Sequence, residues 1–222
     1  MSSIFAGFEA VFHSNAYHVC GPYPAEFRTT LSHAAAIEAL TQISMWKGYD
    51  VTPLVRLDPL ARQIGVGQIH YKQEAGRFGL GSFKALGGAY AVFRLLAARI
   101  EAETGKSPGA ADIMSGVHAD ITDKITVTCA TDGNHGRSVA WGARMFGCRS
   151  VIFIHETVSA AREHAIAEYG AKVIRTRGNY DDSVREAARA AAEHGWSVVS
   201  DTSYPGYTDV PRNVMQGYAV MV

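Results

Sequence analysis

The chain contains 222 residues, of which 47% are hydrophobic and 19% charged, so its composition is that of a folded protein rather than a disordered one. Its 21 Lys and Arg residues balance 21 Asp and Glu residues, and this zero formal net charge excludes a protein whose overall field recruits nucleic acid or an anionic membrane. At roughly 150 residues per domain, the length allows one large domain or two small ones.

The cysteines and the N-terminal run indicate a cytoplasmic protein. Cys20, Cys129 and Cys148 are far apart and form neither a CxxC pair nor a zinc-ligand spacing. We therefore expect a reducing compartment and no metal site. Glu9 interrupts the N-terminal apolar run, which also lacks a basic beginning. We expect neither a signal peptide nor a membrane-spanning segment.

The first 124 residues are predicted to mix helices with irregular structure. Helical spacing and stop signals predict three helices and one strand: helices over 31–43, 58–64 and 83–103, and a strand over 68–72. Asp58 is the expected cap of the second helix, with Pro59 at its first position. Residues 106–124 are polar and are predicted to be a surface connection.

From residue 125 onward, short β-rich runs alternate with helices. Strands are predicted over 125–129, 150–154, 172–175 and 196–200, and helices over 136–146, 160–169 and 181–194. A glycine follows each helix as a stop signal: Gly147, Gly170 and Gly195. This alternation predicts an α/β fold with an open, twisted parallel sheet and flanking helices. Ligands of such sheets bind at the carboxyl ends of the strands.

Lys84 is the first residue with chemical promise. It lies in the apolar, glycine-bearing stretch SFKALGGAYAV at the beginning of a helix. Desolvation there favours the uncharged, nucleophilic amine that Schiff-base chemistry requires. The competing interpretation is a structural lysine that extends its amine into solvent. A dinucleotide fingerprint is excluded, because Lys84 stands where the third glycine after Gly79 and Gly81 is needed.

The loop TDGNHG, residues 131–136, follows a predicted strand and opens a helix. Backbone N–H groups at a helix N-terminus form an anion site that suits a carboxylate. Asn134 can donate a hydrogen bond, and Asp132 is a candidate acid or base. The competing interpretation is a helix that Asp132 or Asn134 merely caps.

Together, SFKALGGAYAV and TDGNHGRSVAWGA resemble the fold-type-II pyridoxal-phosphate enzymes, the family of the tryptophan synthase β-subunit and threonine dehydratase. The resemblance implies that Lys84 holds pyridoxal 5'-phosphate covalently, that Phe83 packs near its ring and that Asn134 contacts its ring oxygen. It assigns the substrate carboxylate to four loop residues: Thr131, Gly133, Asn134 and His135.

Within that family, RFGLGSFKALGGAYAV, TDGNHGRSVAW and SDTSYPGYTDVPRNVMQGY resemble the diaminopropionate ammonia-lyases, from about residue 27 onward. The resemblance implies catalytic roles for Lys84, Asp132 and Asp201. It implies a carbon–nitrogen lyase that converts 2,3-diaminopropionate to pyruvate and ammonia by α,β-elimination. The alternatives are a serine or threonine dehydratase-like ammonia-lyase, and a non-catalytic fragment of such an enzyme.

The resemblance also carries expectations about domains and partners. The family's phosphate-binding loop would lie beyond the MQGY motif, so we expect the N-terminal portion of a longer enzyme, weak or inactive by itself. Residues 86–205 are expected to form a small α/β domain, and residues 1–85 and 206–222 an incomplete large domain. The expected partner is a small amino acid, without nucleic acid or membrane, and the complete enzyme is expected to be a homodimer.

Overall fold

Helices and strands alternate along the chain of this computed structural model, which describes residues 14–18 and 20–222. The helices are α1 (His33–Ile43), α2 (Asp58–Ile64), α3 (Lys84–Thr104), α4 (Ala110–Met114), α5 (Ala119–Thr122), α6 (Asn134–Phe146), α7 (Ala160–Ala167), α8 (Tyr180–His194) and α9 (Asp209–Tyr218). The strands are β1 (Leu54–Arg56), β2 (His70–Lys72), β3 (Thr126–Ala130), β4 (Arg149–His155), β5 (Lys172–Thr176) and β6 (Ser197–Val198). The N-terminal run around Glu9, for which no signal peptide is expected, lies outside the described residues.

Four of the strands form one parallel sheet in the order β5-β4-β3-β6. Thr126 pairs with Arg149 at the start of the β3–β4 ladder, and His155 pairs with Thr176 at the end of the β4–β5 ladder. All three ladders are parallel, which confirms the predicted α/β class. The carboxyl ends of these strands therefore meet at one edge, where ligands of open parallel sheets bind.

Glycines end α6 and α8 as predicted, whereas α7 ends at Ala167 with Glu168 as its cap, before the predicted stop at Gly170. Gly105, Gly147 and Gly195 cap α3, α6 and α8 in the left-handed conformation that glycine adopts without steric cost. The predicted cap of α2 is wrong by one residue. Leu57 is the cap, and the carboxylate of Asp58 instead accepts a hydrogen bond from Arg56.

The 21-residue helix α3 is the centre of the core. Every residue from Ala85 to Phe93 is buried, and the helix packs against both α6 and α9. A methyl group at Gly142 of α6 would lie 2.8 Å from the Cα of Ala89, and one at Gly217 of α9 would lie 2.8 Å from the carbonyl oxygen of Leu86. Glycine therefore lets both neighbouring helices approach the α3 backbone.

The connection over residues 106–124 differs from its prediction. It contains α4 and α5, and the side chains of Ile113 and Ile121 are buried in the core. Because the segment is polar on average, its composition did not indicate that these two isoleucines are buried. The division of the chain into a domain over 86–205 and a second one over 1–85 and 206–222 stays a prediction.

Candidate active site

A cavity of about 270 Å³ opens at the carboxyl edge of the parallel sheet. It is lined by Lys84, Ala130, Thr131, Asp132, Gly133, Asn134, His135, Arg162, Tyr180 and Asp201. Seven of the eight residues that the sequence singles out are in this set, and only Phe83 is outside it. Segments that are far apart in sequence thus meet because their strands end at the same edge.

Lys84, the first residue of α3, forms an ion pair with the carboxylate of Asp201. Their side chains are 29% and 21% exposed, so the pair is partly shielded from water. The rings of Phe83 and Tyr218 also have their centroids 5.8 Å from the Lys84 amine. The expectation of an amine among apolar groups is therefore met on one side, while Asp201 supplies a charged partner on the other.

His135 is buried beside this ion pair. Its Nε2 lies 2.8 Å from the carbonyl oxygen of Val199, which can only accept, so Nε2 carries the proton. Nδ1 is 3.7 Å from the Asp201 carboxylate and has no hydrogen-bond partner among residues 14–18 and 20–222. Burial lowers the pKa of His135, so the imidazole is neutral at neutral pH.

The electrostatic balance keeps Asp201 ionised. Burial would raise the pKa of Asp201, but the positive charges of His135 and Lys84 and the hydrogen bond from Lys84 outweigh burial and lower it. Because His135 is neutral at neutral pH, the Lys84 ammonium is the positive charge that stabilises the Asp201 carboxylate under that condition. A carboxylate held in its ionised form suits the binding of a cationic group.

The loop before α6 is held by Thr131. Its Oγ1 accepts hydrogen bonds from the backbone N–H groups of Gly133 and Gly136, at 2.9 and 3.0 Å. Neither Asp132 nor Asn134 caps the helix through its side chain, so the interpretation of those residues as caps is wrong. The first-turn N–H groups of Asn134 and His135 have no acceptor within the described part of the chain. They are the groups available to an anion.

Asp132 points its carboxylate toward the end of the neighbouring strand. Its Oδ1 lies 2.9 Å from Nε2 of His155, the last residue of β4. The other ring nitrogen of His155 lies 2.9 Å from the hydroxyl of Thr157. The side chain of Asp132 is 68% exposed and that of His155 only 16%. The imidazole is therefore largely shielded from solvent, while the carboxylate that it contacts is accessible.

Tyr180 and Arg162 line the cavity but were not singled out from the sequence. Tyr180 begins α8, and burial together with the charge of Asp201 raises its phenol pKa. The Arg162 side chain lies over Gly133, with Cδ 3.2 Å from where a methyl group of residue 133 would stand. Both residues follow strand ends, as Asp201 does, and this position is the signal that would have selected them.

Residues 45–222 match the family model described as pyridoxal-phosphate dependent enzyme. The chain belongs to this family. The expected fold type and its cofactor, pyridoxal phosphate, are thereby confirmed.

The chain is similar to several proteins that share one name. Diaminopropionate ammonia-lyase of Escherichia coli (strain K12) is 44% identical over 176 residues, which make up 78% of this chain and 42% of that protein. A crystal structure of the Escherichia coli enzyme in complex with D-serine aligns at TM-score 0.79 and 41% identity, covering 86% of this chain and 48% of that one. The chain thus spans less than half the length of these relatives.

A shorter similarity leads to another activity. L-threonine ammonia-lyase of Geobacter sulfurreducens is 32% identical over 90 residues, or 40% of this chain and 22% of that protein.

No helix in the described part of the chain combines the length and the apolar run that a membrane crossing needs.

The residues of the cavity fit the family's cofactor and an amino acid. Lys84 supplies a primary amine, the group that condenses with an aldehyde. The N–H groups of Asn134 and His135, which have no acceptor in the described part of the chain, can donate to a carboxylate. His135 adds a buried ring nitrogen without a partner among the described residues.

Proposed function

We propose that this chain supplies part of an active site, namely the Lys84 amine and the carboxylates of Asp132 and Asp201. The complete site eliminates ammonia from 2,3-diaminopropionate, giving pyruvate and ammonia. The observation that carries this proposal is that Asp132 and Asp201 share one cavity with Lys84. A substrate with a second, cationic amino group needs a carboxylate partner, whereas serine and threonine carry a neutral hydroxyl there. The similarity to diaminopropionate ammonia-lyases supports the same substrate.

In this proposal, Lys84 holds the cofactor, with the ring of Phe83 beside it. Bound pyridoxal phosphate supplies a conjugated system that spreads the negative charge developing on the substrate's α-carbon. Because Lys84 begins a helix that is buried over its next nine residues, the amine emerges from a rigid support. Asn134 lies in the same cavity and is proposed to donate a hydrogen bond to the cofactor's ring oxygen.

The beginning of α6 is proposed to bind the substrate's carboxylate. The family resemblance assigns this role to Thr131, Gly133, Asn134 and His135. The structure supports a narrower proposal, because the N–H of Thr131 donates to Phe153 and that of Gly133 to Oγ1 of Thr131. Asn134 and His135 then supply the N–H donors, and Thr131 fixes the loop that presents them.

Asp201 is proposed to select the cationic substrate. When the cofactor engages the Lys84 amine, the carboxylate loses the partner that it has in this structure. It can then pair with the substrate's β-ammonium group at the same place. The β-ammonium group then replaces the Lys84 ammonium as the positive charge that keeps the carboxylate ionised.

Asp132 or the freed amine of Lys84 is proposed to remove the α-proton. Which of the two acts depends on the face of the substrate that carries the proton. The C–H bond breaks, the proton passes to the carboxylate oxygen or the amine nitrogen, and the electron pair stays with the substrate. The β-nitrogen then leaves as ammonia with the pair of the C–N bond. Water hydrolyses the remaining unsaturated amine to pyruvate and a second ammonia.

The proposal extends to features that concern the whole protein. We propose a cytoplasmic location, which the three cysteines Cys20, Cys129 and Cys148 support because they form no disulfide among the described residues. A homodimer of the complete enzyme and a small domain over residues 86–205 follow from the family resemblance.

Cofactor capture and turnover test the proposal in two steps. The purified chain is mixed with pyridoxal phosphate, reduced with borohydride, and examined by absorbance and peptide mass spectrometry. We expect an absorbance band of protein-bound cofactor that depends on Lys84 (the lysine-dependent band) and a cofactor adduct on Lys84. Both should be absent in Lys84→Ala. An adduct spread over surface lysines contradicts the role of Lys84.

Turnover is then measured as pyruvate formed from 2,3-diaminopropionate, serine and threonine at equal concentrations. We expect the diamino acid to react fastest. Faster turnover of serine or threonine assigns the chain to the dehydratase-like alternative. Specific capture without any turnover identifies a fragment that binds cofactor but does not catalyse.

A further inference from the structure

We propose that His155 is a positioning residue for Asp132: it holds one oxygen of that carboxylate and leaves the other to accept the substrate's α-proton. This inference rests on the proposed function, since it assigns a task to a residue that acts through Asp132. It concerns a histidine outside all three segments that carry the family resemblance.

The first step is the location of the pair. Asp132 follows β3, and His155 is the last residue of β4, the neighbouring strand of the sheet. Their ladder pairs Ala130 with Phe153, so the two strands end side by side. The Oδ1–Nε2 distance of 2.9 Å is that of a well-formed hydrogen bond.

The second step is the location of the proton on the imidazole. An ionised carboxylate only accepts, so Nε2 of His155 must carry a proton to bond Asp132. Nδ1 lies 2.9 Å from Oγ1 of Thr157, and a hydroxyl can donate to a bare nitrogen or accept from a protonated one. The chain Thr157–His155–Asp132 is therefore satisfied whether the imidazole is neutral or protonated.

The third step is what the contact leaves available. Within residues 14–18 and 20–222, the bond from His155 is the only hydrogen bond to the Asp132 carboxylate. Oδ2 is thus open to the substrate while Oδ1 is fixed. When the α-carbon's C–H bond breaks, its proton forms an O–H bond on Oδ2 and its electron pair stays with the substrate. Oδ1 continues to accept from Nε2–H throughout.

The hydrogen bond itself is tested without turnover, on the purified chain. Long-range proton–nitrogen NMR correlations report which ring nitrogen of His155 is protonated, with His155→Gln used to assign the signals. We expect an Nε2–H proton that exchanges slowly with water, and its loss in the Asp132→Ala variant. An Nδ1–H ring, or an Nε2–H signal that Asp132→Ala leaves unchanged, overturns the proposal.

Kinetics then test the positioning role. We expect His155→Ala to lower kcat about two- to tenfold, the worth of one net hydrogen bond, with KM and the lysine-dependent band unchanged. His155→Gln should recover most of the loss, since its amide N–H can take the place of Nε2–H. In an Asp132→Asn background, His155→Ala should have no further effect.

These outcomes separate this inference from the proposed function. A kcat that is the same in His155→Ala as in the parent chain overturns the positioning role alone. Equal losses in His155→Ala and His155→Gln also overturn it, because they indicate a packing role. A parent chain that turns over serine or threonine faster than diaminopropionate contradicts the proposed function, and the NMR result still decides the hydrogen bond.

Discussion

The amine of Lys84 is ion-paired with Asp201, a residue 117 positions later in the chain. The contact joins the first turn of the central helix α3 to the segment that follows the edge strand β6. It therefore exists only when the sheet is assembled. In the proposed function, the same carboxylate recognises the substrate's β-ammonium group.

Replacing Asp201 by asparagine should shift substrate preference. The amide keeps the shape of the side chain but cannot pair electrostatically with a β-ammonium group. We expect the ratio of kcat/KM for 2,3-diaminopropionate to that for serine to fall about tenfold or more, since a charge-assisted hydrogen bond contributes ~1.5–3 kcal/mol. Competition between the two substrates measures the ratio. An unchanged ratio contradicts the recognition role of Asp201.

Replacing Asp132 by asparagine should slow the reaction without disturbing cofactor capture. An amide cannot accept the α-proton, and loss of a general base typically costs about a hundredfold or more. Both stereoisomers of the substrate are assayed, with the lysine-dependent absorbance band as the control for an intact site. If neither isomer reacts more slowly, Asp132 is not the base.

The contact between α3 and α6 gives a stability prediction. In Gly142→Ala, the new methyl group would lie 2.8 Å from the Cα of Ala89, a backbone atom that cannot rotate away. Overpacking of this kind costs about 1–3 kcal/mol, which competes with a gain of about 1 kcal/mol in helix propensity. We expect a net decrease in the free energy of unfolding, measured with urea. Gly67→Ala, a position outside the helices where no described residue would lie within 4 Å of the new methyl group, is the control for an uncrowded site.

Acid should weaken the buried pair of Glu74 and Arg77, whose side chains are 10% and 2% exposed. Burial would raise the pKa of Glu74, but hydrogen bonds from Arg77 and Thr52 outweigh it and hold the pKa below the ordinary 4.5. The pair's contribution is therefore present above about pH 4.5 and is lost as the pH falls through the lowered value.

The Glu74→Gln variant isolates that contribution from other carboxylates. It leaves the Arg77 guanidinium without a counter-charge, so we expect about 1–3 kcal/mol less stability at neutral pH. The difference from the parent chain should shrink as the pH falls below 4.5, the ordinary pKa of Glu74. Urea unfolding at a series of pH values measures it. A difference that stays constant with pH shows that the ionisation of Glu74 does not contribute.

The alternation of strands and helices after residue 125 was predictable because each signal is local. A glycine such as Gly147 ends a helix through its own backbone conformation. The antiparallel pair of β1 and β2 was predicted only in part, since Leu54, Val55 and Arg56 carry no alternating pattern. The strand predicted over 196–200 is shorter than expected, because the N–H of Ser200 donates to the Tyr207 hydroxyl instead of a neighbouring strand.

Within the candidate site, the family motifs selected Lys84 and Asp132, but sequence alone did not give their partners. His155 contacts Asp132 only because β4 lies beside β3, and Tyr218 reaches Lys84 only because α9 returns to α3. Such contacts depend on strand order and helix packing. No local pattern in one sequence specifies either of them.

The close contact at Gly142 fixes the spacing of two site residues, Lys84 and Asn134. Lys84 and Asn134 are the first residues of α3 and α6, two helices that pack closely at Gly142 and are joined by a hydrogen bond from the N–H of Ala89 to the Ser138 hydroxyl. Their spacing is therefore set by parts of the chain that contact no substrate. Substitutions at Arg162 or Tyr180 of the cavity wall would leave this spacing unchanged, because neither residue takes part in the contact between α3 and α6.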